Sequence, residues 1–585
     1  MHLYLRIMLA GAIMAPTAYA ASPTAFVKVG DGDEATQEFF PGEHRARPVM
    51  AAFTASGDNM GVFSGGQDLG GSTGWYADSR WGDLGDGTFA NPVLNADYSD
   101  PDVIRVGSKY YMTCSEFHFM GMPILESDDM VNWRIIGQVF DSIDLPGYDS
   151  MEKYGSGSWA PALRYHDGKF WIYVCTPGEG LFMANATDPA GPWSPLLNVR
   201  NVSGWEDPCP LWDDNGDAFL GRSQLGGGPI YIHKMSADGT KLLDEGRKIY
   251  EGPTAEGTKL FKKDGYYYLS IPEGGVGTGW QTVLRSKDIY GPYEGKRVLE
   301  MGSTKVNGPH QGALVDTPDG EWWFYHFQSA GALGRVMHLQ PVEWVDGFPV
   351  IGYDYDRNGI GEPMKVCRKP ATGVDVEPFA PQTSDDFNNG SLGIQWQTNH
   401  NPDKSKFSFS DREGWLSLKP SYAKKIRDAR NQLTQKLMGY HSVATAKLDF
   451  TGMKDGDRAG LECIGNKHVG LGVLVNTVEG RLNPVLYIET DGKTESKKAL
   501  YNKGTDCVWL RLDANATDNR FTFSYSLDGE TFNQVGEPFE MSDGDWKGAR
   551  TGIYSYTFGD PETAGTPLFD EFIYETDGPG SLTSR

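Results

Sequence analysis

The clearest periodic signal in the chain is a polar turn containing glycine that runs directly into an aromatic or apolar strand. It occurs at Gly107-Ser108-Lys109-Tyr110-Tyr111, Asp167-Gly168-Lys169-Phe170-Trp171, Asn215-Gly216-Asp217-Ala218-Phe219, Asp264-Gly265-Tyr266-Tyr267-Tyr268 and Asp319-Gly320-Glu321-Trp322-Trp323. Each copy reads as a hairpin turn entering a strand. Successive glycines lie roughly 50 to 60 residues apart, which leaves room for about four strands per unit, the period of propeller blades. Five copies predict five blades. Three copies are followed by a Ser or Thr, an Asp and an aromatic: Ser127-Asp128 with Trp133, Thr187-Asp188 with Trp193, and Ser286 and Asp288 with Tyr293. These read as structural turns with an outer-strand aromatic packed between blades.

Past about residue 380 the repeat stops and short alternating strands take over. Trp415-Leu416-Ser417-Leu418, Val508-Trp509-Leu510-Arg511-Leu512 and Phe521-Thr522-Phe523-Ser524-Tyr525-Ser526 are examples, the last followed by an Asp528-Gly529 turn. This texture predicts a β-sandwich. Long segments of helical apolar spacing are few. The fold class is therefore all-β, with a five-bladed β-propeller over 88–375 followed by a β-sandwich over 382–585. Residues 21–87 read as an irregular extension packed on the propeller. Their Gly-rich stretch at 64–71 lacks phosphate-loop spacing. Arg6, the apolar run Ile7 to Met14 and Ala18-Tyr19-Ala20 read as a signal peptide over 1–20, cut after Ala20. The expectation is an exported protein, periplasmic or secreted. No later apolar run is long enough to predict a membrane span.

Composition agrees with this division. At 585 residues the chain exceeds one ordinary domain, and 74 glycines with 12% aromatics suit turn-rich β structure. A formal net charge of −25 disfavours nucleic acid and anionic lipid as partners and says nothing against a neutral sugar. The six cysteines, at 114, 175, 209, 367, 463 and 507, are sparse and form no CxxC pair. They predict buried free thiols rather than a disulfide scaffold or zinc cluster, with a single bridge left open.

Seven to ten residues before each turn glycine lies a residue that would face the propeller axis: Asp100, Trp159, Asp207, Glu256 and His310. Three of the five are acids. A bland core does not gather carboxylates around one axis, because like charges raise one another's pKa at a cost in stability. The cluster is a functional-site candidate. Asp100-Pro101 and Asp207-Pro208 share a local context, and proline biases the preceding residue toward an extended conformation that would fix each carboxylate's direction.

At these residues the chain resembles the family 43 glycoside hydrolases, which are five-bladed propellers. The matching stretches are Asn91-Pro92-Val93-Leu94, Tyr98-Ser99-Asp100-Pro101-Asp102, Trp159-Ala160-Pro161 with Arg164-Tyr165, Glu206-Asp207-Pro208 and Glu256-Gly257. Thr317-Pro318-Asp319-Gly320-Glu321-Trp322-Trp323, Leu333-Gly334-Arg335 and Pro341-Val342-Glu343-Trp344 complete the set. The resemblance spans roughly residues 88 to 350. It implies an inverting glycosidase in which Asp100 is the general base, Glu256 the general acid, and Asp207 the group that orients the acid and keeps its pKa raised. Asp97 and Asp102 compete with Asp100 for the role of base and rank below it.

The resemblance also places Arg335 against the sugar or a catalytic carboxylate, and makes Phe117 and Trp159 an apolar platform or plain core. His310 either helps hold a central calcium through water or only hydrogen-bonds in the channel. No cofactor is required for the chemistry itself. The sandwich resembles the jelly-roll, concanavalin-like (lectin-like) C-terminal domain of family 43 xylosidases, where a loop helps close the pocket; an independent carbohydrate-binding module is its rival role. The implied activity is removal of terminal β-D-xylosyl or α-L-arabinofuranosyl residues from plant polysaccharide. An endo-arabinanase and a non-catalytic sugar-binding propeller are the alternatives, and oligomeric state is open. Glu256-Gly257-Thr258 in place of Glu-Gly-Pro, and Ala162 after Trp-Ala-Pro, depart from the family and bear on sugar choice.

Overall fold

A computed structural model describes residues 80–582, apart from 118, 119, 151, 501–503 and 545. The predicted signal peptide and the predicted extension as far as residue 79 lie outside the described residues.

Five antiparallel sheets follow one another along the chain. The first contains Asp102–Val106, Lys109–Thr113, Pro123–Ser127 and Arg134–Gln138. The second contains Trp159–His166, Lys169–Thr176, Gly180–Ala186 and Leu197–Arg200. The third is Trp205–Trp212, Ala218–Gln224, Ile230–Met235 and Arg247–Tyr250. The fourth is Lys259–Lys263, Tyr266–Glu273, Trp280–Ser286 and Glu294–Leu299. The fifth is Leu314–Asp316, Trp322–Ser329, Arg335–Val345 and Phe348–Ile351. Each glycine turn of the repeat joins the first strand of a sheet to its second, where the aromatic run then packs between sheets.

The first strands run side by side. Asp102–Val106 contacts Trp159–His166, which contacts Trp205–Trp212, which contacts Lys259–Lys263; Leu314–Asp316 of the fifth sheet returns to Asp102–Val106. The early strand Leu94–Asp97 pairs with Arg335–Val345 of the fifth sheet, so hydrogen bonds tie the beginning of this region to its end.

Beyond residue 384 an eight-stranded and a seven-stranded sheet pack face to face around Leu416, Leu461, Leu510, Phe523, Ile553 and Phe572. Cys507–Asn515 alternates between buried and half-buried positions, as a strand with one face on a core does. The two regions share core residues. Ala332, Leu333 and Val336 lie in the sandwich core, while Met438 of the sandwich is buried with Tyr98 and Met337. All six cysteines are free thiols, five of them buried. Among the described residues no helix is long and apolar enough to cross a membrane.

Candidate active site

The first strands of the sheets enter through a shared local device. Asp100, Ala160, Asp207, Gly257 and Gln311 all adopt positive φ, between 40° and 58°. The expectation of an extended residue before each proline is therefore overturned at Asp100 (φ 52°) and Asp207 (φ 54°). At Asp207 the reason is a bulge, since pairing shifts between Glu206 and Cys209, as it does between Trp159 and Ala162 in the second sheet; Asp100 lies two residues before its strand begins. A left-handed residue at a bulge re-aims its side chain, and Asp tolerates this conformation better than most residues. Strain of this kind, about 1–3 kcal/mol per residue, collects at functional sites.

The five left-handed residues also reset the register between sheets. Asp100 and Asp207 are themselves the left-handed residues of their sheets. Trp159, Glu256 and His310 stand one residue earlier, where the first sheet has Ser99 and the third has Glu206. Glu206 is thus the counterpart of Glu256 in the neighbouring sheet. Sequence reasoning gave it no role; aligning Glu206-Asp207 on Glu256-Gly257 would have exposed it.

Three predicted carboxylates come together. Asp100 is buried; its Oδ1 accepts from Arg335 Nη1 at 2.7 Å and its Oδ2 from Ser115 Oγ at 2.6 Å. Asp207 is buried; its Oδ2 accepts from the Ser223 hydroxyl and from the Gly257 amide at 2.7 Å. Burial pushes Asp207 up to about 6, helped by the charge on Asp100 and opposed by those two donors and by Lys259. Glu256 is half-buried. It is pushed up to about 8, first by desolvation, then by the charges of Asp207 and Asp100, with Arg335 opposing. At neutral pH it holds a proton beside two buried acids. Glu206 is pushed up to about 9 by burial and by Asp207 and Glu256, against the amides of Gly226 and Gly227 that bond its Oε1 at 3.1 and 3.4 Å. The site can thus hold one carboxyl group protonated close to another that is ion-paired, which is what acid–base chemistry needs.

The remaining predicted residues surround this cluster. Arg335 is buried, and its guanidinium lies 4.9 Å from the Phe327 ring centre and 5.6 Å from that of Phe117. Phe117 is buried and packs edge-on against the half-buried Trp159 at 5.1 Å. Trp546, from the sandwich, completes the aromatic wall, 6.4 Å from Trp159 and 5.9 Å from Arg335. The loop that carries it is held by a 2.7 Å bond from the Ala549 amide to the Ala332 carbonyl. No local pattern in the sequence marks Trp546, because its partners lie more than 200 residues away.

His310 is buried against Phe327, with no partner for either ring nitrogen, and is driven down to about 3 by burial and by Arg335. It is therefore neutral. Its unpartnered nitrogens suit a water molecule. They fit a bare cation poorly, because Arg335 is the nearby charge, and among the described residues no three His, Cys, Asp or Glu side chains are grouped to hold a metal.

The rivals of Asp100 have structural partners. Asp97 Oδ1 accepts from the Arg335 amide at 2.9 Å and from Ser99 Oγ at 2.8 Å. Asp102 pairs with Arg164 at 2.7 Å and accepts from the Leu163 amide at 2.7 Å.

The model for glycosyl hydrolases family 43 matches residues 89–349, and that for the β-xylosidase C-terminal concanavalin A-like domain matches 384–575. A putative β-xylosidase of Xylanibacter ruminicola is 54% identical over 473 residues, covering 81% of this chain and 87% of that protein. The chain belongs to glycosyl hydrolase family 43. It is a glycoside hydrolase of two parts, and carbohydrate is its substrate class. A β-xylosidase of Formosa agariphila is 39% identical over 562 residues, 85% of this chain and 92% of its own. Among solved structures, a family 43 enzyme engineered to combine endo-xylanase and exo-arabinofuranosidase activity superposes with a TM-score of 0.74 at 27% identity, over 83% of this chain and 99% of that one.

Proposed function

We propose that this family 43 member is an inverting exo-glycosidase that releases terminal β-D-xylosyl or α-L-arabinofuranosyl residues from plant cell-wall polysaccharide or its oligosaccharides. The five sheets are read as the blades of one propeller, with the acids at one end of its axis. The observation that carries the reading is the grouping of Glu256 with the Arg335-paired Asp100 and the buried Asp207, whose charges together with burial raise Glu256. Asp100 takes a proton from a water molecule that attacks the anomeric carbon. Glu256 donates its proton to the departing glycosidic oxygen. Asp207 keeps Glu256 protonated by its own charge. Inversion needs a separation of roughly 6.5–9.5 Å between base and acid so that the water fits, and carboxylates on separate sheets can supply it.

The Trp546 loop supports the exo reading over an endo-arabinanase, because a wall contributed by the sandwich narrows an open groove toward a pocket. The names of the relatives support xylose and arabinose as the sugars. These steps route nothing through a metal, and a neutral His310 would meet a central calcium only through water. The signal-like segment ending at Ala20 supports export.

The test is hydrolysis of aryl β-D-xyloside, aryl α-L-arabinofuranoside and xylan oligosaccharides by wild type and Glu256→Gln. Wild type is expected to cleave at least one aryl glycoside, and the variant to lose about 10²–10⁴-fold on the oligosaccharides, where leaving-group protonation matters most. A wild type inactive on all three would sink the exo-pentosidase reading. A fully active variant would remove Glu256 from the role of acid.

A further inference from the structure

We propose that Glu116, gripped by Lys436 and Arg550 of the C-terminal sandwich, is a positioning residue for Asp100, so that the sandwich holds the geometry of the water-activating group. The proposal rests on the reading of Asp100 as base.

The three-residue stretch Ser115-Glu116-Phe117 faces two ways. Ser115 Oγ donates to Asp100 Oδ2 at 2.6 Å and accepts from the Ala160 amide at 2.7 Å. Phe117 packs on Trp159 and under Arg335. The side chain between these two, Glu116, is held instead by the sandwich. Its Oε1 meets Lys436 Nζ at 2.6 Å and its Oε2 meets Arg550 Nη1 at 3.4 Å. All three residues are buried.

The sandwich has a physical reason to need this carboxylate. Lys436 and Arg550 are directly opposed on the paired strands Leu433–Lys436 and Arg550–Thr557. Like charges in that relation repel, and burial strengthens the repulsion. Glu116 offers one oxygen to each cation. Asp97, whose charge also acts on Arg550, bonds the Arg335 amide and Ser99, the residue before Asp100. The backbone fixes the rest: the Ser115 amide donates to the Ser99 carbonyl at 3.0 Å, and the Glu116 amide to the Ser158 carbonyl at 3.1 Å. At Gly157 a β-carbon would lie 2.1 Å from the Phe117 carbonyl oxygen, so the stretch has no slack on that side. Movement of Glu116 is therefore passed to the hydroxyl that holds Asp100.

The experiment compares kcat and KM of full-length Glu116→Gln, Ser115→Ala and the double variant on the substrate that wild type cleaves. If Glu116 acts through Ser115, each single change lowers kcat by about tenfold to a hundredfold with KM within about threefold, and the double variant falls no further than the worse single. Multiplying losses, or a folded Glu116→Gln with wild-type kcat, would overturn the proposal. Should Glu116→Gln fail to fold, the charge-balanced pair Glu116→Gln with Lys436→Met replaces it, since removing both partners of a buried ion pair is tolerated better than removing one; the same kcat loss and the same non-additivity with Ser115→Ala are then required. A wild type without activity would refute the proposed function, and the positioning link is then judged by hydrogen exchange at the Ala160 amide. Glu116→Gln must accelerate that exchange; an unchanged rate refutes the link.

Discussion

At the scale of single residues, the acids reveal how activity and stability oppose each other. Glu256 ordinarily titrates near 4.5 and is raised to about 8 in the folded chain. Between those values the folded protein holds a proton that the unfolded chain has released, so stability falls as pH rises through the window and levels off above it. Glu256→Gln removes this penalty. The variant is expected to be more stable than wild type at pH 8 by about 1–2 kcal/mol, a value discounted because Glu256 is half-buried, and to show no advantage near pH 4. Thermal melts at the two pH values check it, and an equal or lower Tm at pH 8 would contradict the raised acid. Asp207 is among the causes of the shift, so Asp207→Asn should move the basic limb of kcat/KM from near pH 8 to lower pH. An unmoved limb would deny Asp207 that role.

At the scale of elements, the left-handed entry residue is the repeat that matters, and it explains what the sequence could and could not convey. Polar turns and aromatic runs were legible because each is local, and so Asp100, Asp207 and Glu256 stood out at similar distances before a turn glycine. The one-residue offset between Asp207 and Glu256 was not legible, because proline suggests extension whereas the bulge requires positive φ at the residue before it. Glu206 was hidden by the same offset. In the fourth sheet the left-handed residue is Gly257, with φ 58°; a β-carbon there would lie 2.5 Å from Pro272 Cγ and 2.9 Å from Gln311 Cγ. Its amide is also the 2.7 Å donor to Asp207. Gly257→Ala is therefore expected to cost the backbone strain of about 1 kcal/mol plus the overpacking of about 1–3 kcal/mol, and to reduce kcat about a hundredfold by displacing Glu256 and Asp207. Gly107→Ala is the control. Its φ is 64° and nothing lies within 4 Å, so it should show the strain alone and keep wild-type kcat. Equal kcat in the two variants would mean that the left-handed entry residue does not set the acids.

At the scale of the whole molecule, the sandwich could be a module that hangs beside the five-sheet region or a second half of one folding unit. The sequence leaves this open, since Met438, Lys436, Arg550 and Trp546 carry no local mark and meet partners hundreds of residues away. The packing favours one unit. Leu333 and Val336, which flank Gly334-Arg335, are buried in the sandwich core, and Met438 of the sandwich is buried with Tyr98 and Met337 of the five-sheet region. The Met438 amide in turn donates to the Tyr574 hydroxyl at 2.8 Å, which carries the contact back into the sandwich. Neither core is complete without residues of the other, so opening one exposes apolar surface of both. Calorimetry is expected to give a single unfolding transition. Met438→Ala should lower it as a whole by about 2–5 kcal/mol, the cost of a buried large-to-small change, and Leu510→Ala, deep in the sandwich, should move the same transition. Two resolved transitions, with Met438→Ala shifting only one, would mean that the halves melt independently. In that case the narrowing of the pocket by Trp546 would vary with docking, and the proposed exo preference would have to come from the loops of the five-sheet region.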